Sequence, residues 1–186
     1  DTTWREKNPV NEAISFHQTK PWGMGEAGCL IIDAEDKETV CSLICFGRGE
    51  SAQFRQHYTN EKLADINSAI ILQRMLDWPN WSQKYLEQLG RIINLAKSCH
   101  LKPMINPDDG TIHSHIPFLA PHEISKEQIK NPYITMQKYY RPLRQGYQNA
   151  EHIYSRIINI PCHSGLSQVS DKLILNAIEY IMKKSK

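Results

Sequence analysis

The chain reads AISFHQTKPWGMGEAGCLII over residues 13–32. Its two ends are short apolar runs, and the residues between them include Pro21 and the glycines at 23, 25 and 28. Apolar runs on either side of a connection rich in proline and glycine are typical of two strands joined by a turn. The pattern therefore predicts a strand, a turn and a second strand, with Lys20 directly after the first strand.

Lys20 is the residue of this stretch that could carry chemistry. A lysine that acts as an amine nucleophile must be held out of bulk water, and a rigid strand end beside a close glycine turn provides that setting. The alternative is a solvated lysine in a surface loop, which is the commoner case when spacing alone is considered, because most lysines are exposed.

Helical periodicity follows the second strand. Apolar residues three and four positions apart predict helices over residues 35–46, 60–76 and 81–98, with a flexible loop at 47–59. Asn60 is the expected N-cap of the middle helix, because asparagine is favoured at that position. Pro79 should end or kink the same helix.

The character of the chain changes beyond Pro103. Short extended pieces are predicted over residues 112–119, 133–136 and 156–160, and a final helix over 170–183. The expected organisation is α/β, with a first domain at residues 1–100 and a small α/β domain at residues 101–186.

Composition excludes several classes of protein. With 22 basic and 20 acidic residues the formal charge is +2, so nucleic acid is not an expected partner. No apolar run approaches the roughly 20 residues that a membrane-spanning helix needs, so no membrane association is expected. Five cysteines without a C-x-x-C pair favour reduced thiols, and hence a cytoplasmic protein, over a disulfide framework.

Three motifs, in the same order, resemble those of the DegT/StrS family of nucleotide-sugar aminotransferases. Residues 15–20 (SFHQTK) and 25–28 (GEAG) are similar to the family's S-F-H-x-x-K and G-E-G-G. Residues 60–70 (NEKLADINSAI) resemble N-Y-R-M-S-E-L-Q-A-A-I. Asn149-Ala150-Glu151 and residues 160–167 (IPCHSGLS) resemble N-A-E and L-P-L-H-P-G-L-S.

The resemblance implies a cofactor and roles for particular residues. These enzymes use pyridoxal 5′-phosphate (PLP) and have the aspartate-aminotransferase-like fold type I. Lys20 matches the lysine that binds PLP as a Schiff base and shuttles a proton, and Ser15 matches a serine that binds the PLP phosphate. Asn60 matches an asparagine that reaches the phosphate from a neighbouring subunit, which implies a homodimer, although a simple helix cap is the alternative.

Asp1 is a further candidate for cofactor binding. The family has an aspartate upstream of the lysine that keeps the pyridine nitrogen of PLP protonated. The stretch between Asp1 and Lys20 is shorter than usual, and Trp4 stands where His or Gln is common. The alternative is an ordinary frayed terminus. His17 belongs to the motif, and no role is assigned to it.

The resemblance covers nearly all of this chain but only about half of the family. The N-terminal half of such enzymes, with most of the large-domain sheet, has no counterpart here. The expected fold is therefore the C-terminal part of a PLP large domain plus the small domain. A separate N-terminal half is a possible partner, since an open half-sheet must be covered.

Tyrosine, arginine and histidine residues beyond Pro103 are candidates for substrate or metal binding. Tyr139 and Arg141 could line a cleft for a nucleotide sugar, by stacking and by pairing with a phosphate, or they could form an ordinary surface. His113 and His115 share one face of a predicted strand. Because no third ligand completes a metal site, they are interpreted as polar strand residues near substrate. Cys162 and His163 point to opposite faces, so no thiol dyad is expected.

The function implied by the resemblance is amino-group transfer to a nucleotide-linked keto sugar. The donor is expected to be an amino acid, glutamate, in a ping-pong cycle through pyridoxamine phosphate. One alternative is a non-catalytic fragment or partner subunit that needs the missing N-terminal half. Another is a PLP-dependent sugar dehydratase or isomerase of the same fold. The presence of Lys20 disfavours a dehydratase, because histidine replaces that lysine in the dehydratases.

Overall fold

The structure, a computed structural model, describes residues 11–49, 56–106 and 110–183. The chain divides into two compact units, residues 1–78 and residues 79–186. The predicted division into a first domain at residues 1–100 and a small domain at residues 101–186 refers to the domains of the complete enzyme, and it stays a prediction. The described elements, in chain order, are β1 (Glu12–Ser15), β2 (Gly28–Ile31), α1 (Lys37–Ile44), α2 (Asp65–Leu76), α3 (Trp78–Ser98), β3 (Lys102–Pro103), β4 (His115–Leu119), α4 (Lys126–Ile129), α5 (Gln148–Arg156), β5 (Ile157–Pro161) and α6 (Asp171–Lys183).

The first unit opens with the predicted hairpin. β1 and β2 pair antiparallel, from Glu12 opposite Ile31 to Ser15 opposite Gly28. Backbone hydrogen bonds continue past the strands, because the Phe16 amide donates to the Ala27 carbonyl at 2.8 Å. The prediction of strand, turn and strand is confirmed.

The expected N-cap at Asn60 is wrong. α2 begins at Asp65 with Ala64 in the cap position. The backbone of residues 59–61 instead pairs with the end of α1, where the Thr59 amide donates to the Leu43 carbonyl at 2.8 Å and the Glu61 amide to the Ile44 carbonyl at 3.0 Å. Those backbone groups are engaged in an extended pairing, so the helix starts five residues later.

Pro79 starts a helix instead of ending one. α2 ends at Leu76, and α3 begins at Trp78, three residues earlier than predicted. A proline in the first turn of a helix loses nothing by lacking an amide hydrogen, since that group would have no partner within the helix. Leu89, Ile92, Ile93 and Ala96 of α3 are buried, as the periodicity predicted.

The second unit is built on a three-stranded antiparallel sheet in the order β3, β4, β5. β4 pairs with β5 from His115 opposite Pro161 to Leu119 opposite Ile157. Every residue of β5 is buried. The contiguous core of the unit joins this sheet to α3 and α6, and its fully buried members include Ile92, Ile116, Phe118, Ile158, Ile160, Ile174, Ile178 and Ile181.

Two predicted extended pieces differ from the structure. Residues 133–136 form no strand, because the side-chain oxygen of Asn131 accepts hydrogen bonds from the amides of Tyr133 and Ile134 at 2.9 and 3.0 Å and holds them in a turn. Strand-like pairing occurs only at Gln137, opposite Asn159. In the piece predicted at 112–119, β4 starts at His115, so His113 precedes the strand.

The helix α5 was not predicted. Only Ala150, Ile153 and Tyr154 of its nine residues are apolar and none of the nine is buried, so its pattern is too short for periodicity to detect.

Candidate active site

Lys20 lies in the turn that closes the β1–β2 hairpin. Its amide donates to the His17 carbonyl at 2.8 Å, and its own carbonyl accepts from the Gly23 amide at 2.8 Å. The Met24 amide donates back to the Phe16 carbonyl at 3.0 Å. Two successive turns therefore fix the backbone on both sides of Lys20, whose side chain is half-buried.

Gly23 is required by this geometry. A Cβ atom built on Gly23 would lie 1.9 Å from the carbonyl oxygen of His17. The oxygen that accepts from the Lys20 amide would be displaced by any side chain at position 23. The glycine-rich character of the turn is thus a packing requirement at this one position.

Helix α2 holds the turn from outside the hairpin. The guanidinium group of Arg74 donates from Nη1 to the Gly23 carbonyl at 2.7 Å and from Nη2 to the Pro21 carbonyl at 2.8 Å. The ring of Trp22 stacks on that of Trp78, with centroids 3.8 Å apart and planes inclined by 8°. These contacts anchor the residues that follow Lys20.

His17 connects the two sides of the turn. The Thr19 amide donates to Nδ1 at 3.2 Å, so Nδ1 is the acceptor and the proton of the neutral ring is assigned to Nε2. Nε2 faces the Glu26 carboxylate at 3.2 Å. His17 therefore links the residue before Lys20 to the bend that precedes β2, and this is a structural role that the motif alone did not provide.

The groups around the turn fit PLP chemically. Within the described ranges, no hydrogen bond, ion pair or ring contact engages the ammonium group of Lys20. A primary amine is what an aldehyde cofactor needs for covalent attachment. Ser15 provides a half-buried hydroxyl at the end of β1, where its Oγ accepts from the His17 amide at 3.3 Å.

Asn60 is exposed and lies within the extended segment that pairs with the end of α1, opposite Cys45. Its side-chain oxygen accepts a hydrogen bond from the Lys62 ammonium, whose charge also lies 4.0 Å from the centre of the Phe46 ring. The role of Asn60 toward PLP stays a prediction. Asp1 lies outside the described residues, and its role also stays a prediction.

The predicted substrate residues belong to the second unit. The ring of Tyr139 meets that of His115 edge to face, with centroids 6.0 Å apart, and lies 5.2 Å from the ring of Tyr140. Arg141 is exposed directly after this pair. His113 is half-buried before β4, and its role toward substrate stays a prediction.

Two buried polar residues hold the segment that carries Tyr139. Asn159 of β5 exchanges backbone hydrogen bonds with Gln137 at 2.8 and 3.1 Å. The ammonium group of Lys138 donates to the carbonyls of Ile124 and Ser155 at 2.7 and 2.9 Å. The segment is therefore fixed at 137 and 138, and the chain leaves the core with Tyr139 exposed.

Cys162 has no nucleophilic character. Its side chain is fully buried, its Sγ donates to the His113 carbonyl at 2.8 Å, and burial raises the pKa of the thiol to about 12. Since the thiolate is the reactive form, this thiol is inert near neutral pH. The adjacent His163 is exposed, in agreement with the expectation that the pair forms no dyad.

Neither a metal site nor a membrane-spanning helix is found among the described residues. They contain no group of three or more His, Cys, Asp or Glu side chains placed to bind a metal ion. Nor does any helix in those ranges have the length and apolarity that a bilayer crossing requires.

A model of the DegT/DnrJ/EryC1/StrS aminotransferase family matches residues 10–179. The chain belongs to this family. The match begins just before β1 and ends within α6, so the Lys20 turn and the Tyr139 segment both lie inside it. The resemblance stated from three motifs is confirmed.

Solved members of this family and related aminotransferases have the same fold. PseC from Helicobacter pylori, an aminotransferase in the biosynthesis of pseudoaminic acid, is 21% identical over 98% of this chain, with a TM-score of 0.78. A DegT/DnrJ/EryC1/StrS aminotransferase from Brucella abortus is 22% identical over 90% of the chain, with a TM-score of 0.68. The PLP form of Spr1654 from Streptococcus pneumoniae is 17% identical over 94%, with a TM-score of 0.74.

The α/β fold of a PLP-dependent aminotransferase is therefore confirmed. The chain spans only about half the length of these structures, 57% of PseC, 49% of the Brucella protein and 52% of Spr1654. It represents a fragment of the complete fold.

Within this family fold, sequence reasoning missed three residues that shape the Lys20 turn. Gly23 was read only as a turn former, although a backbone oxygen excludes any side chain there. Arg74 is distant in sequence from the turn, and no pattern in the sequence of α2 singled it out. His17 had a signal, since it belongs to the motif, but its partner Glu26 could be found only from the pairing of the hairpin.

Proposed function

We propose that this chain is the lysine-bearing half of a PLP-dependent aminotransferase that transfers an amino group from glutamate to a nucleotide-linked keto sugar. The observation that carries the proposal is Lys20, whose amine has no partner among the described residues and whose turn is held by backbone hydrogen bonds, by Arg74 and by His17. Family membership supplies the reaction class.

Lys20 is the residue that would attach the cofactor, through Nζ. Bound PLP supplies the electron sink that amino-group transfer needs. The same nitrogen, once released from the cofactor, would hold and move the proton at the reacting carbon. The hydroxyl of Ser15 would donate to the cofactor's phosphate, and Asp1 would keep the pyridine nitrogen protonated.

The proposal extends to a homodimer. Asn60 is exposed, and its side chain would reach the phosphate of PLP bound in a second copy of the enzyme. Its side-chain oxygen accepts from Lys62, which leaves the side-chain NH2 group as the donor for a phosphate. The five free cysteines support a cytoplasmic enzyme, because reduced thiols persist in that compartment.

The exposed segment at residues 139–141, between β4 and β5 in the chain, supports nucleotide-sugar binding. Tyr139 and Tyr140 present adjacent rings, on which a base or a sugar could stack, and Arg141 follows with a guanidinium group suited to a phosphate. His113 would bind the substrate at the edge of this segment. His115 is the better candidate for that position, because its ring contacts Tyr139.

A second candidate function is that of a partner subunit or fragment, active only with the missing N-terminal half. The observation that favours it is the length of the chain, which is about half that of the solved aminotransferases it matches. In this case Lys20 would still bind PLP, but turnover would require the second half.

The experiment that tests the proposal is a half-reaction with the amino-acid donor. The 186-residue chain is incubated with PLP and L-glutamate, and released 2-oxoglutarate is measured for wild type, Lys20→Ala and the exposed control Lys62→Ala. Product from wild type and Lys62→Ala, but not from Lys20→Ala, is the expected result. PLP bound at Lys20 without product would favour the second candidate, and absence of both would reject the proposal.

A further inference from the structure

A cavity lies beside the segment that precedes Tyr139 in the second unit. Its volume is about 460 Å³, and it is lined by residues of α4 and the two residues that follow it, and by residues 134–138. Cavities of this size are typical of sites that bind small organic molecules. Neither Lys20 nor Tyr139 lines it, so the cavity is distinct from the groups proposed to bind PLP and the nucleotide sugar.

The lining of the cavity is cationic. Among the described residues, it contains Lys126, Lys130 and Lys138 against a single acidic residue, Glu127. The amide of Glu127 itself and the Ser125 side chain, at the start of α4, hold the pKa of the Glu127 carboxyl below its ordinary value, and the charges of Lys130 and Lys126 contribute less. Three positive charges therefore face one carboxylate that is associated with the helix start.

Two of these lysines are placed to bind one ligand together. Lys126 and Lys130 are four positions apart, a spacing that brings side chains to the same side of a helical turn. Both are exposed, and within the described ranges neither ammonium group takes part in a hydrogen bond or an ion pair. Their charges are therefore available to an anion that enters the cavity.

The third lysine, Lys138, is a buried cation without an ion-paired carboxylate in the described part of the chain. Its ammonium group donates to the carbonyls of Ile124 and Ser155 at 2.7 and 2.9 Å and lies 4.9 Å from the centre of the Tyr154 ring. Burial lowers the pKa of Lys138, and the attraction of Glu123 opposes this to a smaller extent. A buried charge without a counter-ion is costly, and an anion in the adjacent cavity would compensate it.

The uncharged part of the lining indicates that the ligand is organic. Ile129 and Met136 are buried and provide apolar surface, whereas Thr135 and Gln137 add a hydroxyl and an amide. A few polar groups among apolar side chains are typical of small-molecule sites. Lysine ammonium groups bind phosphate and carboxylate as point charges, so three of them favour a ligand with several negative charges.

We propose that this cavity binds a small organic polyanion, a molecule that carries two or more phosphate or carboxylate groups. Lys126 and Lys130 bind the anionic groups directly, and the buried charge of Lys138 adds to the attraction. The site is separate from the chemistry at Lys20, and the inference goes beyond the proposed function.

Isothermal titration calorimetry of the 186-residue chain without PLP tests the proposal. The probes are fructose 1,6-bisphosphate and citrate, and fructose is the uncharged control. Wild type is compared with the double variant Lys126→Gln/Lys130→Gln. The matched control, Lys97→Gln/Lys172→Gln, removes the same charge from exposed lysines of α3 and α6 that do not line the cavity. Circular dichroism verifies that both double variants keep their helices.

The expected result is one bound probe molecule per wild-type chain. Lys126→Gln/Lys130→Gln should weaken its affinity by at least about tenfold, whereas the matched control should leave it within about twofold. The affinity should also fall when the salt concentration is raised, because salt screens exposed charges. Binding of the bisphosphate alone identifies phosphate as the recognised group, binding of citrate alone identifies carboxylate, and either result supports the proposal, as does binding of both.

Three results would overturn the proposal. The first is that neither anion binds to wild type. The second is that fructose binds as tightly as the bisphosphate, since charge would then have no part in recognition. The third is that Lys126→Gln/Lys130→Gln binds as tightly as the matched control, because the anion would then occupy another part of the chain. None of these readouts depends on PLP or on amino-group transfer, so failure here is separate from failure of the proposed function.

Discussion

The guanidinium group of Arg74 lies 2.7 Å from the carbonyl oxygen of Gly23 and, through its second terminal nitrogen, 2.8 Å from that of Pro21. These two hydrogen bonds join residues 51 and 53 positions apart in the chain. They tie helix α2 to the turn after Lys20. The position of Lys20 therefore depends on a residue outside the hairpin.

Substitution Arg74→Met should loosen the Lys20 turn. It removes two charge-assisted hydrogen bonds to backbone carbonyls, and we expect a loss of about 1–3 kcal/mol in the free energy of unfolding of the first unit. Denaturant titration and the rate of PLP attachment at Lys20 provide the measurement. The control Arg48→Met changes an exposed arginine of the same unit and should alter neither quantity. Unchanged attachment in Arg74→Met would show that the clamp is dispensable.

Alanine at two glycine positions should have opposite effects. In Gly23→Ala the new methyl group would meet the His17 carbonyl oxygen at 1.9 Å, and we expect destabilisation by about 1–3 kcal/mol. In Gly90→Ala the methyl group meets no atom within 4 Å inside helix α3, so the gain in helix propensity should stabilise the chain by about 0.5–1 kcal/mol. Thermal unfolding should give a lower Tm for Gly23→Ala and a higher Tm for Gly90→Ala than for wild type. A stable Gly23→Ala protein would contradict the turn geometry.

Thiol reactivity should separate the cysteines by exposure. Cys29 and Cys41 are exposed, whereas Cys162 is buried and burial raises the pKa of its thiol to about 12. Iodoacetamide at pH 8 should therefore label Cys29 and Cys41 and leave Cys162 unmodified until the chain is unfolded. Peptide mapping by mass spectrometry measures this. Rapid labelling of Cys162 in the native chain would reopen the possibility of a thiol nucleophile.

The stability of the second unit should decline at acidic pH through His115. Burial, and secondarily the nearby charge of His163, lower the pKa of His115 below its ordinary value of 6.5. As the pH falls through 6.5, the unfolded chain binds a proton that the folded chain does not, so stability is lost between 6.5 and the lower folded pKa. The free energy of unfolding, measured with urea at pH 7.5 and 5.5, should fall less between these two pH values for His115→Phe than for wild type.

A control for this pH dependence is available in the first unit. His57 is exposed, and His57→Gln should leave the difference between the two pH values unchanged. If the free energy of unfolding falls equally in wild type and His115→Phe, groups other than His115 cause the pH dependence.

The sequence predicted the local elements that have a strong repeating pattern. The β1–β2 hairpin, α3 and α6 were found because their apolar residues recur at the period of the element or flank a glycine turn. The family was found because motif spacing was preserved around Lys20. Both kinds of signal lie within a short window of sequence.

The remaining features depend on contacts that no short window contains. The start of α2 moved from Asn60 to Asp65 because residues 59–61 pair with the end of α1. Arg74 reaches the Lys20 turn from more than 50 positions away. The Tyr139 segment is fixed by Asn159 and by Lys138. The burial of Lys138 could not be predicted from the sequence, because most lysines are exposed.

The central claim is that Lys20 is the residue that binds PLP, and covalent mapping tests it most directly. The 186-residue chain is mixed with PLP, its visible absorption spectrum is recorded, and borohydride reduction is followed by peptide mapping of the modified lysine. The account predicts a label at Lys20 that far exceeds the label at exposed lysines such as Lys62 and is lost in Lys20→Ala. An even distribution over the exposed lysines, with no preference for Lys20, would contradict it.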